Sequence, residues 1–138
     1  MISAWESLHF ATLELVRSTP IKQRLISAYR RHLVAVQVDQ LPNEVRDSFT
    51  QVLSALSGVP PLRGEDSVCA SVRKMSVQEA DECAAQLVEI FGLTCRVLLT
   101  AARASAEVVQ LHSVERETER EAGPEIRDLD VPALIASN

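Results

Sequence analysis

From Ser76 to about Glu121 the chain contains no proline and a single glycine, Gly92. A continuous helix over those 46 residues would be roughly 69 Å long, at about 1.5 Å per residue. A compact body of 138 residues has a radius of gyration near ~14 Å and a diameter of roughly 37 Å. The helix therefore either breaks or runs past the body and finds a partner. Glycine in mid-helix costs only about 1 kcal/mol relative to alanine, and the apolar pattern runs straight through Gly92. Continuity is the expectation.

Helical signals precede that stretch. Ser3-Ala4-Trp5-Glu6 and Ser76-Val77-Gln78-Glu79 are capping boxes, in which serine and glutamate satisfy each other's free amides. The first helix follows Ser3, with Trp5, Leu8, Thr12, Leu15 and Val16 at helical spacing and Phe10 and Leu13 on another side. Thr19-Pro20 stops it and starts a second helix, expected to run to about Val38 on the stripe Ile21, Leu25, Tyr29, Leu33 and Val36. Pro42 begins a third, with Val45, Phe49, Val52, Leu53 and Leu56 inward and Gly58 expected to end it in the left-handed conformation. Residues 59–66 read as a loop, with Arg63 placed to pair with Asp66, and Ser67 to Lys74 as a short helix. No segment alternates with the period of a strand.

The fold expected is all-α: a small antiparallel helical bundle with a long C-terminal helix, dimerising through that helix. Residues 1–92 form the bundle, 93–122 a helical extension of its last helix, and 123–138 a mostly irregular tail beginning at Gly123-Pro124. Ile126, Leu129, Val131, Leu134 and Ile135 give that tail enough apolar surface to dock in cis or on another copy.

Composition narrows the function classes. A net charge of −5 disfavours bulk attraction to nucleic acid or anionic membranes. The charge is uneven: residues 1–74 carry nine Lys/Arg against seven Asp/Glu, and residues 75–138 five against twelve. That asymmetry could orient one copy against another. Cys69, Cys83 and Cys95 are three widely spaced cysteines without a CxxC, which points to a reducing, cytoplasmic compartment of bacterial type. Glu6 interrupts the region a signal peptide would need. The apolar run Gln86 to Ala102 contains Glu89 and Arg96, so no membrane span is expected.

Catalytic and cofactor patterns are missing. Glu6 and His9 form one Glu-x-x-His pair where a di-iron bundle needs two. There is no phosphate loop or dinucleotide fingerprint, and no catalytic, cofactor or metal residue is assigned. Arg30, Arg31, Arg73 and Lys74 are the candidate anion-binding residues of a basic second helix. The band formed by Leu93, Val97, Leu98, Ala101, Ala104 and Val108 is the candidate interface. The expected function is that of a non-enzymatic interaction or regulatory protein, acting as a homodimer or on a protein partner. The alternatives are a nucleic-acid-associated regulator and an enzyme whose site the sequence does not reveal.

Overall fold

The computed structural model describes the backbone of residues 1–129 and the side chains of residues 1–111. All of it is helix and connecting loop, with no strand among the described residues. Helix α1 spans Ala4–Leu15, α2 Ile21–Arg31, α3 Asn43–Ser57, α4 Ser67–Lys74 and α5 Val77–Leu129. Two single 3-10 turns, Leu33–Ala35 and Val38–Gln40, join α2 to α3. The chain divides into two compact units, Met1–Leu98 and Leu99–Asn138.

Within the first unit α1 packs on α2, and α4 packs on both α2 and α3. The core between them is aliphatic apart from Phe49, its largest side chain, and is centred on Leu8, Leu25, Leu33, Phe49, Val52, Leu56, Val68, Val72 and Leu87. Helix α5 contributes Ala80, Cys83, Leu87 and Ile90, spaced by three or four residues as one face of a helix must be. Thr94 continues that face and is buried, its hydroxyl donating to the Ile90 carbonyl at 2.7 Å. Leu93 still packs against the core, and the first compact unit runs to Leu98.

Both capping boxes form. Ser3 Oγ accepts from the Glu6 amide at 3.2 Å while Glu6 accepts from the Ser3 amide at 2.8 Å. Ser76 and Glu79 repeat the exchange at 3.0 and 2.7 Å. Helix α4 has the expected bounds, and Asp66 caps it by accepting from the Cys69 amide. Gly92 lies inside continuous helix.

Four expectations change. Helix α2 ends at Arg31, since His32 leaves helical geometry and Leu33, Val36 and Leu41 are buried from tight turns instead. The inward face of α1 is Ala4, Leu8, Ala11 and Leu15, with Trp5 and Val16 outside it. Gly58 takes φ −80°, an ordinary right-handed value; a Cβ there would meet the Ser54 carbonyl oxygen at 2.5 Å, so space rather than handedness calls for glycine. Helix α5 continues through Gly123-Pro124 to Leu129. Pro124 offers no N–H to the carbonyl of Arg120, so the turn there forgoes one backbone bond. The remaining tail residues, Val131, Leu134 and Ile135 among them, lie outside the described residues.

Candidate functional site

The interface candidates divide at the boundary of the first unit. Leu93 is half-buried against the core and Val97 is half-buried, whereas Leu98, Ala101, Ala104 and Val108 are exposed. Every described side chain from Leu98 to Leu111 is exposed, including Leu99, Ala102, Ala106 and Leu111. Leu98, Ala101, Ser105 and Val108 follow one another at intervals of three or four residues, the seam of a helix that pairs with another. Arg103, Glu107 and Gln110 form the opposite, polar strip.

By length and composition, Val77–Leu111 is a helix that could cross a membrane. Its first half has another use for its apolar residues: Ala80, Cys83, Leu87 and Ile90 are in the core, and Asp81, Glu82, Gln86 and Glu89 face outward. That is the pattern of an amphipathic bundle helix.

The basic residues are met by acids. Arg30 donates to Asp66 at 2.9 Å and to the Cys69 sulfur at 3.0 Å; the bond to Asp66 raises its pKa. Arg73 donates to Glu65 at 3.0 Å and holds that carboxyl below its usual range. Arg30 and Arg73 thus converge on adjacent carboxylates. Arg31 turns to α1 and donates to Glu14 at 3.2 Å. Lys74 lines a cleft that also holds Glu79 and Glu82. An incoming phosphate would compete at each arginine with a carboxylate already in place. Arg63 does not pair with Asp66, whose oxygens serve Arg30 and the α4 cap.

Around His9 the structure gathers an aromatic cluster that sequence spacing did not reveal. His9 stacks on Phe91 at 5.5 Å, on Trp5 at 5.7 Å and on Phe10 at 5.8 Å. Its Glu-x-x-His neighbour, Glu6, is engaged in the capping box. Among the described residues no three His, Cys, Asp or Glu side chains converge as a metal site would need. Burial pushes the Cys83 thiol up to about 11 and is the main cause of the upward shift at Cys69. An activated cysteine needs the opposite shift.

Glu14 is the chain's one well-buried carboxylate among the described residues. Arg31 meets it at 3.2 Å, Arg17 at 3.4 Å and His32 at 3.7 Å. Burial of a charge requires such pairing. A cleft of about 530 Å³ opens beside the N-terminus of α1, lined chiefly by Ile2, Trp5, Leu41, Pro42, Thr94 and Leu98. Its Ser3 and Thr94 hydroxyls take part in local backbone bonds, which leaves Gln40 as the main polar side chain able to orient a small ligand.

Compared with protein-family models, curated proteins and solved structures, the chain matches none.

Proposed function

We propose that this chain is a non-enzymatic helical interaction protein that self-associates through the apolar band of α5 between Leu98 and Leu111. The observation behind the reading is the exposure of Leu98, Leu99, Val108 and Leu111 on one helix, with alanines 101, 102, 104 and 106 between them. Contiguous apolar surface of this kind is uncommon on monomers and marks interaction sites. Burying it returns about 25 cal/mol per Å² removed from water. The alanines let a second helix approach closely, and a two-fold pair is the simplest closed assembly.

Replacing Leu98 and Val108 with glutamate tests the reading, because both side chains are exposed and outside the buried core. Light scattering of the wild type should give a dimer mass, and the double variant a monomer of unchanged helicity. A double variant that remains dimeric removes the band from the interface. Flotation of the wild type with lipid vesicles, without self-association, assigns the band to a membrane instead.

A further inference from the structure

We propose that the outer face of α1 is the seat on which a second copy docks the apolar segment of its α5, so that two copies exchange these segments reciprocally. The proposal rests on the self-association described above and names the surface that receives the rod.

Helix α1 is apolar on two sides. One side, Ala4, Leu8, Ala11 and Leu15, fills the core. The other carries Trp5, His9 and Leu13 at intervals of four residues, with Phe10 at its edge and the exposed Ile2 and Val16 just beyond the helix ends. Leu13 is 47% exposed and Val16 76%, well beyond what packing within this unit explains. The face is also held in shape. Trp5 and His9 stack on one another, His9 stacks on Phe91 while Trp5 meets it at a tilt, and the Trp5 indole is tied to the Cys95 sulfur. A surface ordered beforehand loses little freedom when a partner arrives.

Three features select a second copy as the occupant. The first is length: residues 4–15 advance roughly 17 Å along α1 and residues 98–111 roughly 20 Å along α5, at about 1.5 Å per residue, so the two stretches are of similar reach. The second is side-chain size. The α1 face presents Trp5, Phe10 and Leu13, whereas the middle of the α5 band, residues 101–106, carries four alanines, so the large groups of one fit the shallow stretch of the other. Two α5 bands laid together would leave the α1 face uncovered. The third is charge. At the C-terminal end of α1, Arg17 and Arg31 share the single carboxylate of Glu14. The ten residues after the band, 112–121, contain four glutamates and two arginines. A band docked parallel to α1 would direct that acidic stretch toward the surplus positive charge. Each copy owns one band and one seat, so a two-fold pair covers both.

The test uses full-length chains with either the seat broken (Leu13→Glu with Val16→Glu) or the band broken (Leu98→Glu with Val108→Glu). Circular dichroism melting confirms that each remains folded, and light scattering reads the mass. Each variant alone should be monomeric. An equimolar mixture should recover dimer mass where neither variant does, because the intact band of one meets the intact seat of the other. If the seat variant dimerises like the wild type while the band variant is monomeric, bands pair with bands: the exchange is wrong and self-association stands. If both variants dimerise like the wild type, both proposals fall. A wild type that stays monomeric at high concentration, with the seat variant melting lower, places the cover within the chain and overturns the exchange. Vesicle flotation of monomeric wild type assigns the face to lipid and does the same.

Discussion

The indole N–H of Trp5 donates to the thiol sulfur of Cys95 at 2.9 Å, joining the first turn of the chain to α5 across 90 positions of sequence. Trp5 is the only tryptophan, so its emission reports this junction alone. Cys95→Ala removes the acceptor from an exposed donor that water can satisfy. The stability cost should stay under about 1 kcal/mol, while the emission maximum of the folded variant moves to longer wavelength. An unchanged spectrum would mean that the indole does not sense residue 95.

Asp66 divides its carboxylate between the α4 cap and Arg30, and the Cys69 amide is the larger cause of its lowered pKa. Asp66→Asn keeps an acceptor for the cap and loses the charge; Asp66→Ala loses both. The alanine variant should unfold at clearly lower urea than the asparagine variant, which should stay near the wild type because the Arg30 pair is half-exposed and solvent-screened. Equal midpoints for the two variants would show that the cap contributes nothing.

Gly58 and Gly92 should respond to alanine with opposite signs. A Cβ at Gly58 would sit 2.5 Å from the Ser54 carbonyl oxygen, a backbone atom that cannot move aside cheaply. At Gly92, in the middle of α5, a Cβ meets nothing within 4 Å. Gly58→Ala should destabilise, and Gly92→Ala should stabilise by about 1 kcal/mol through helix propensity. Urea denaturation of the two variants decides the matter.

Alkaline destabilisation should originate partly at Cys83. Burial raises this thiol to about 11, above its ordinary 9.0, so between those values the unfolded chain releases a proton that the folded chain retains. Stability from this group is complete below pH 9 and declines as pH rises toward 11. Cys83→Ala should flatten the stability curve in that interval relative to the wild type, whatever it costs in packing. Parallel curves from pH 8 to 11 would show that the thiol is not protected.

Much of the architecture is legible because local signals agree with it. The serine-glutamate pairs mark the starts of α1 and α5, and Phe49, Val52 and Leu56 are buried on the stripe their spacing implied. The end of α2 is not legible, since Leu33 and Val36 keep helical spacing while the backbone tightens into 3-10 turns. On α1 the inward residues include alanines and Glu14, whose partners Arg31 and His32 come from the end of α2 and the residue after it. An apolar template passes over such positions and selects Trp5 and Val16. The apolar band of α5 was visible as composition; its division at Leu98 depends on where the core stops. Pairing of the basic residues with Glu14, Glu65 and Asp66 is tertiary and leaves no trace in spacing.

Both helices that carry the surfaces discussed above, α1 and α5, begin with the same reciprocal serine-glutamate lock. A start shifted by one residue would rotate a helix by about 100° about its axis. Trp5 and Leu13 would then turn toward the interior, and alanines would turn outward. Four short hydrogen bonds at two helix starts therefore set the angular phase of everything downstream, and with it which side chains the molecule shows to its surroundings.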